Sequence, residues 1–433
     1  MSRNAHADAL IAFLNASPTP FHAVEAAADK LLAGGATALD EKDAWHLKPG
    51  QTAFVIRNGS SIVALRLPKD VSRPRFRVAA AHTDSPCLKL KPHAPEPSAN
   101  YRQWGVEVYG GVLYNSWLDR DLGVAGRVTR MDGGAIKSVL VRSEGKPFRI
   151  PQLAIHLDRG VNESGLILNA QRHLQPVLGL TDGEGGGRSL EGWLEEALGA
   201  PFASLTFELH LYDTSPAGYG GFDDEFIFSG RLDNLAMSHA ALEAFCQEGA
   251  AAPATARQAI QVAALFDNEE VGSTSAQGAN SNLIASTLER VLLALGCTRE
   301  ESLAALARSH LVSADMAHAI HPNYPEKHEP YHFPLLNHGP VIKGNANMRY
   351  ATNAETSAHF RGLCGRAGSP VQDFINRTDL ACGTTIGPHV AAALGIPTVD
   401  VGNPMLSMHS AREMCGSEDH GMMIRVLREF YRD

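Results

Sequence analysis

The stretch QAIQVAALFDNEEVGST, residues 258–274, joins an apolar segment directly to a cluster of acidic residues. The apolar part is short, bounded and partly β-branched, which favours a strand buried on both faces of a sheet. Asp267, Glu269 and Glu270 follow it within four residues. Carboxylates packed there must be solvated, paired with cations or bound to metal, because an unpaired buried charge costs several kcal/mol. A polar turn after a strand is the alternative.

The same order, a short apolar segment followed by polar residues, recurs elsewhere in the chain. FRVAAA precedes His82-Thr83-Asp84, SHLVSA precedes Asp315, and IPTVDVG precedes NPMLSMHSAREM. Helical patterns lie between these segments, at residues 235–248, 281–295 and 387–395. Alternating strands and helices predict an α/β fold with a mostly parallel sheet flanked by helices. Ligands bind beyond the carboxyl ends of such strands, so the polar clusters should converge on one edge.

Residues 94–218 have a different pattern from the rest of the chain. Alternating strands such as WGVEVYGGVLY, KSVLVRS and LTFELHLYD are separated by Gly-rich turns, which indicates a β-rich insertion. A chain of 433 residues is also too long for one ordinary domain. We therefore expect a discontinuous catalytic domain, residues 1–93 and 219–433, interrupted by a β-rich domain over residues 94–218.

Composition and charge exclude several classes of function. The 38 Lys and Arg residues against 47 Asp and Glu residues give a net charge of −9. With no basic stripe, nucleic acid is not expected as the main partner. No apolar run reaches the roughly 18 residues of a membrane span, and the N-terminal segment, which mixes charged and apolar residues, does not resemble a secretory signal. Six cysteines without CxxC spacing indicate a reduced, cytoplasmic protein.

Each of the candidate polar residues has both a chemical and an ordinary interpretation. His82 and Asp84 point to the same side of an extended segment, so the carboxylate can orient a metal-binding imidazole; the alternative is a surface histidine near an unrelated carboxylate. Asp233 lies at a predicted helix start, where it can bind metal or cap the helix. Asp315 has the same two interpretations. His409 is flanked by apolar residues, as core histidines commonly are.

Taken together, these residues match the ligand set of a two-metal centre. Paired zinc or manganese ions need one bridging carboxylate and about two further ligands each. Five candidates are available: His82, Asp233, Glu270, Asp315 and His409. Glu269 is then left over, and a carboxylate beside the metals but not bound to them is what a hydrolase needs to remove a proton from the attacking water.

Six blocks, in order from about residue 17 to residue 420, resemble the signature blocks of the M18 aminopeptidases. These blocks are SPTPFHAV, AAHTDSPCLKLKP, GRLDNL, FDNEEVGS, SADMAHAIHPNY and SMHSAREM. The family is the aspartyl aminopeptidase family of dinuclear zinc exopeptidases. The resemblance implies a zinc-exopeptidase-like fold, residues 94–218 as a dimerisation or oligomerisation domain, and a homo-oligomer, specifically a dodecamer.

The resemblance also implies a role for each candidate residue. His82 and Asp315 would bind one zinc ion, Glu270 and His409 the other, and Asp233 would bridge them. Glu269 would be the general acid/base, and Asp84 would orient His82. Manganese or cobalt are possible substitutes for zinc.

Four further residues lie in blocks that contact substrate in the family: His156, His318, Lys343 and Tyr350. By resemblance, His156 lies on the β-rich domain and reaches the active site of a neighbouring subunit. An acidic substrate side chain needs a cation, and Lys343 is our candidate. The alternative for Lys343 is an ordinary exposed lysine in a loop.

We therefore expect a metal-dependent aminopeptidase that releases N-terminal residues from peptides and prefers Asp and Glu. One alternative is a related dinuclear hydrolase that acts on acylated amino acids or blocked peptides, since the same metal chemistry serves both. Another is a non-catalytic assembly or cargo protein in which the metals are structural. The unligated Glu269 argues against that last alternative, because a structural site has no use for it.

Overall fold

The computed structural model describes residues 4–181, 189–251 and 259–433. Packing divides the chain into two compact units. The first contains the chain up to Asp84 together with Ala217–Met408 and Glu413–Asp433. The second contains Ser85–Pro216 and His409–Arg412. The functional roles predicted for the two parts of the chain stay predictions.

The secondary structure elements are numbered here in chain order. The helices are α1 Ala5–Ala16, α2 Pro20–Ala33, α3 Val161–Ser164, α4 Ala170–His173, α5 Leu190–Leu198, α6 Leu232–Ala251, α7 Leu283–Ala294, α8 Arg299–Ala307, α9 Ala354–Arg366, α10 Ile386–Leu394 and α11 Asp419–Arg432. The strands are β1 Thr37–Leu39, β2 Thr52–Arg57, β3 Ser61–Arg66, β4 Phe76–His82, β5 Cys87–Leu90, β6 Tyr101–Gln103, β7 Val106–Tyr109, β8 Leu122–Asp132, β9 Ala135–Arg142, β10 Val177–Leu180, β11 Thr206–Asp213, β12 Gly218–Gly220, β13 Phe226–Ser229, β14 Ile260–Phe266, β15 His310–Ala314, β16 Ala317–His318, β17 Val341–Gly344, β18 Gln372–Ile375, β19 Thr398–Gly402, β20 Pro404–Leu406 and β21 Glu413–Gly416.

The first unit is built on a nine-stranded sheet with the order β1-β2-β3-β14-β4-β15-β19-β17-β18. Its centre, β14-β4-β15-β19, is parallel throughout. The apolar run that precedes Asp267 forms β14, and every residue of that strand is buried. Phe266 at its end pairs with His82 at the end of β4, so the two strands finish at the same edge. The predicted α/β class with a mostly parallel sheet is confirmed.

Helices cover both faces of this sheet, as the alternation within β4 shows. Ala79 and Ala81 pack into a core shared with α1, α2, α6, α9 and α11. Phe76 and Val78 point the other way, into a core shared with α7 and α10. Because successive side chains of a strand alternate between faces, a strand buried on both sides must be apolar along its whole length.

A second sheet of the first unit has the order β12-β13-β21-β20-β16. It carries His318 on β16 and Glu413 on β21. The second unit, described by itself, contains a sheet of order β7-β5-β11-β8-β9 and the pair β10-β6. Its pairings are antiparallel, and a core that includes Trp104, Phe148 and Leu194 lies against them.

Among the helices in the described part of the chain, none has both the length and the apolar character needed to cross a membrane.

A pair of buried histidines joins α6 to α11 in the first unit. His239 Nδ1 lies 2.8 Å from His420 Nε2, and the rings stack with their centres 5.0 Å apart. Burial, with smaller contributions from Lys30 and His6, lowers the pKa of His239 to about 3. Burial likewise holds the pKa of His420 well below its ordinary value. The folded protein therefore keeps both rings neutral, whereas the unfolded chain binds protons below a pH of about 6.5.

We expect the free energy of unfolding to fall as the pH falls through this range. The unfolded chain then binds more protons than the folded one, and His239 alone should remove about 2 kcal/mol between pH 7 and pH 5. Urea unfolding of the protein and of His239→Gln at both pH values measures this loss. The variant should lose less stability on acidification than the parent. An equal loss in the two proteins would contradict the assignment.

Candidate metal centre

Polar residues follow three neighbouring strands of the large sheet at the edge where these strands end. Asp84 comes two residues after the end of β4, Glu269 and Glu270 come shortly after β14, and Asp315 comes directly after β15. The Asp315 N–H donates to the Val401 carbonyl of β19 at 2.8 Å, which continues the ladder past the end of β15. Carboxyl ends of parallel strands meet at one edge, so the sheet itself brings these carboxylates together.

Gly402, the last residue of β19, is required by the close approach of the segment that carries Asp315. A Cβ at this position would lie 1.8 Å from the Asp315 carbonyl oxygen. No other residue allows this approach without moving the backbone, because only glycine lacks a Cβ. The glycine therefore allows the main chain of Asp315 to lie directly against β19.

Asp233 enters from the start of α6, where the backbone has not yet become helical. Its φ is −83° and its ψ is 107°, and the peptide bond to Asn234 is cis. The Asp233 N–H donates to Glu413 Oε2 at 3.2 Å, and Asn234 Nδ2 donates to the Ala314 carbonyl at 2.9 Å. These bonds join the first turn of α6 to β21 and to the end of β15.

The imidazole of His82 faces several carboxylates at once. Its Nε2 lies 3.4 Å from Asp315 Oδ1, 3.5 Å from Asp233 Oδ1 and 3.9 Å from Glu269 Oε2. Ligand atoms that share a tetrahedral zinc ion at about 2.0–2.2 Å lie roughly 3.3 Å apart. His82, Asp233 and Asp315, all buried, therefore fit one ion between them.

Asp84 lies on the other side of the His82 ring. Its Oδ1 is 3.3 Å from His82 Nδ1, and its carbonyl oxygen is 3.0 Å from the same nitrogen. The two carboxylate oxygens also accept the N–H groups of Glu269 and Glu270, each at 3.1 Å. With Nδ1–H donated to Asp84, the Nε2 lone pair is directed at the carboxylate cluster, as a metal-binding histidine requires.

Glu269 and Glu270 lie in a short 3₁₀ turn, which allows both adjacent side chains to lie near His82. Asn268, just before the turn, has a φ of 63°, a left-handed conformation that asparagine tolerates better than most residues. Its side-chain oxygen accepts hydrogen bonds from Ser275 Oγ at 2.7 Å and Gln277 Nε2 at 2.9 Å. Potential ligand atoms of His82, Glu269 and Glu270 all lie within 4.8 Å of one another.

Electrostatics point to a cation at this place. Burial, opposed by His82 and reinforced by neighbouring carboxylates, raises the pKa of Glu269 to about 8. Burial and then Asp233 hold the pKa of Glu270 well above its ordinary value. Burial acts to lower the pKa of His82. Hydrogen bonds with Asp233, Asp315 and Asp84 outweigh this effect, and the pKa lies well above its ordinary value. Negative groups gathered in a buried place repel one another, and a divalent ion removes that repulsion.

His409, the fifth predicted ligand, is grouped with the second unit. Its Nδ1 lies 3.0 Å from the Gly111 carbonyl oxygen, and its φ is 67°. Its role as a metal ligand stays a prediction.

The structure places the predicted substrate residues in different surroundings. Lys343 is buried on β17 and is not a loop lysine, so that alternative is wrong. Its Nζ donates to the Met316 carbonyl at 2.8 Å and lies 3.3 Å from Asp315 Oδ2. Tyr350 is buried, with its ring centre 5.5 Å from Lys343 Nζ. His318 is exposed on β16, and His156 is exposed in the second unit.

Glu413 is a residue at this site that the sequence reasoning did not identify. Its buried carboxylate holds the Asp233 main chain. The available signal was its place in SMHSAREM, four residues after a predicted ligand.

Comparisons with known proteins identify the family of this chain. The profile of the family described as Aminopeptidase I zinc metalloprotease (M18) matches residues 13–431. The chain is 47% identical over 429 residues to "Probable M18 family aminopeptidase 2" of Pseudomonas aeruginosa strain UCBPP-PA14, covering 98% of this chain and 97% of that protein. It is 42% identical over 463 residues to "Probable aspartyl aminopeptidase" of Ricinus communis, covering 98% and 94% of the two chains.

A solved structure is also similar over nearly the whole chain. The S. cerevisiae mApe1 dodecamer superposes with a TM-score of 0.84 at 31% sequence identity, covering 98% of this chain and 97% of that one.

Proposed function

We propose a mechanism and a substrate preference for this chain, which belongs to the M18 family of zinc metallopeptidases and is an aminopeptidase. The family predicted from the sequence blocks is thereby confirmed. One observation carries the mechanistic proposal: His82 Nε2 faces Asp315, Asp233 and Glu269 at 3.4–3.9 Å in a buried place. This spacing suits a zinc ion, and the donor set of imidazole and carboxylates is one that zinc accepts.

We assign the ligands as follows. His82 and Asp315 would hold one zinc ion, Glu270 and His409 would hold a second, and Asp233 would serve both. Asp84 keeps His82 in the required tautomer, and Glu413 holds the main chain of Asp233. Zinc bound by these residues would supply Lewis acidity and would lower the pKa of a bound water molecule.

Glu269 moves the proton in this proposal. Its main chain is held by Asp84, while its carboxylate lies beside His82. A carboxyl group that lies beside the attacking water without binding metal can first accept a proton and then donate it. Glu269 thus takes a proton from the attacking water and delivers it to the amine that leaves when the peptide bond breaks.

Lys343 supplies the positive charge for an acidic substrate side chain. The Met316 carbonyl accepts one of its ammonium hydrogens, and Asp315 Oδ2 lies 3.3 Å from the same nitrogen. An ammonium group has three hydrogens, so it can also donate to a substrate carboxylate. The similarity to a protein named aspartyl aminopeptidase supports this preference. His318 and Tyr350 complete the pocket, and His156 reaches the site of a neighbouring subunit.

We also propose that the chain forms a homo-oligomer, specifically a dodecamer. The similar mApe1 structure is a dodecamer. The second unit exposes large apolar side chains close together in the sequence: Leu153 is 59% exposed, Leu157 75% and Ile167 85%. We expect these side chains to lie on an association surface, because contiguous exposed apolar patches mark such surfaces. The six free cysteines support a reduced, cytoplasmic location.

Initial rates on matched peptides that begin with Asp, Glu, Leu or Lys test the proposal. We expect cleavage to favour Asp and Glu, to stop on chelation, and to return with zinc, manganese or cobalt. Lys343→Met should lower kcat/KM for Asp peptides roughly 10- to 100-fold more than for Leu peptides, because a charge-assisted hydrogen bond is lost.

Three other results of this experiment would each favour a different function. A metal-dependent preference for neutral residues would keep the metal chemistry and reject the acidic pocket. Faster cleavage of acetylated than of free N-termini would favour a hydrolase of acylated substrates. No cleavage with any metal would favour the assembly protein.

A further inference from the structure

Asp400 is a fully buried carboxylate on β19 that the proposed mechanism does not use. Its Oδ1 accepts a hydrogen bond from Thr385 Oγ1 at 2.6 Å. Its Oδ2 accepts the N–H of Ala351, also at 2.6 Å. The carboxylate therefore ties the start of α10 to the segment that follows Tyr350.

Segment 349–352 also makes hydrogen bonds at its two ends. The Asp400 N–H donates to Thr352 Oγ1 at 2.9 Å, and Thr384 Oγ1 donates to the Arg349 carbonyl at 3.1 Å. Hydrogen bonds thus connect the residues on either side of Tyr350 to β19 and to the residues just before α10.

The first turn of α10 packs closely against the Asp400 carboxylate. A Cβ at Gly387 would lie 2.4 Å from each of the two carboxylate oxygens. Any other residue at position 387 would push against Asp400, because no atoms approach that closely without displacement. Gly387→Ala therefore disturbs Asp400 without changing a residue assigned to the site.

Tyr350 connects the hydrogen bonds of Asp400 with Lys343. The Tyr350 side chain is 5% exposed, hydrogen-bonds with the Cys382 side chain, and has its ring centre 5.5 Å from Lys343 Nζ. Lys343 in turn lies beside the predicted zinc ligand Asp315. A continuous set of contacts thus leads from Asp400 to the ammonium group proposed to meet the substrate.

We propose that Asp400 is a positioning residue for substrate specificity. It holds the segment that carries Tyr350, and Tyr350 keeps the Lys343 ammonium group where it meets both Asp315 and an acidic substrate side chain. This inference rests on the proposed function and deepens it. A buried carboxylate that only stabilises the fold would affect all substrates equally.

The test compares Asp400→Asn and Gly387→Ala with the parent enzyme in its zinc-loaded form. We measure kcat and KM on Asp and Leu peptides, the affinity for free L-aspartate and L-leucine by calorimetry, and zinc content. Both variants should lower the Asp-to-Leu ratio of kcat/KM by about tenfold, through KM for the Asp peptide. They should also weaken aspartate binding selectively and retain the zinc content of the parent.

Glu248→Gln is the matched control, because Glu248 is also a buried carboxylate and pairs with Arg432 at 2.9 Å. It should leave the Asp-to-Leu ratio unchanged even if it lowers the melting temperature. If Asp400→Asn does not fold, Gly387→Ala and Thr385→Val, which removes one hydrogen bond, decide the question. Folded variants with an unchanged ratio would overturn the inference while leaving the proposed function intact. A parent enzyme without an acidic preference would overturn both.

Discussion

Glu269→Gln is expected to lower kcat by about 10²- to 10⁴-fold while the protein keeps its zinc. The amide has nearly the shape of the carboxyl group but cannot accept a proton from water or return one to the leaving amine. The Glu269 N–H donates to Asp84, so this main-chain anchor survives the substitution. Zinc content by atomic spectroscopy and kcat on an Asp peptide, measured on the same preparation, show both effects.

The Glu270→Gln variant should differ from Glu269→Gln in its zinc content. The N–H groups of both residues donate to the Asp84 carboxylate, yet we assign Glu270 to a metal and Glu269 to the proton. Glu270→Gln should therefore lose zinc as well as activity. If Glu269→Gln turned over substrate at more than a tenth of the parent rate, Glu269 would not be the general acid/base.

Asp233→Ala is expected to remove zinc from both positions. A carboxylate shared by two ions contributes to each, so its loss leaves both ions one ligand short. Zinc per subunit should fall well below that of the parent, and hydrolysis should become undetectable without added metal. Zinc titration of the apoprotein, followed by calorimetry, measures the loss of affinity.

Asp267→Asn is the matched control for that experiment. Asp267 is a buried carboxylate close to the same 3₁₀ turn, where its Oδ1 accepts the Asn268 N–H at 2.8 Å. It is not among the assigned ligands, so the variant should keep its zinc. Full occupancy of both ions in Asp233→Ala would show that Asp233 does not bridge them.

The sheet and the position of the carboxylates were predictable because they depend on local patterns. An apolar run such as residues 260–266 is long enough for a strand buried on both faces, and it is followed at once by residues that cannot be buried without a partner. The parallel order then brings such strand ends to one edge. The α/β class and the candidate ligands at these strand ends could therefore be predicted from composition and order along the chain.

The contacts between distant parts of the chain could not be predicted in this way. The ion pair of Lys343 with Asp315 depends on how β17 is placed in the sheet, and β17 is separated from β15 by β19. The hydrogen bond from Asp233 to Glu413 joins residues 180 positions apart. The close approach at Gly402 depends on the main chain of Asp315, which follows β15. No periodicity in the sequence carries this information, because each contact follows from the tertiary packing.

Anomalous diffraction at the zinc absorption edge, from crystals of the zinc-loaded protein, tests the proposed centre most directly. We expect two zinc peaks about 3.5–4 Å apart in each subunit. His82 Nε2 and Asp315 should contact one ion, Glu270 and His409 the other, and the Asp233 carboxylate both, with Glu269 contacting neither. A single peak, or an Asp233 carboxylate bound to only one ion, would contradict the two-metal centre with its bridging aspartate.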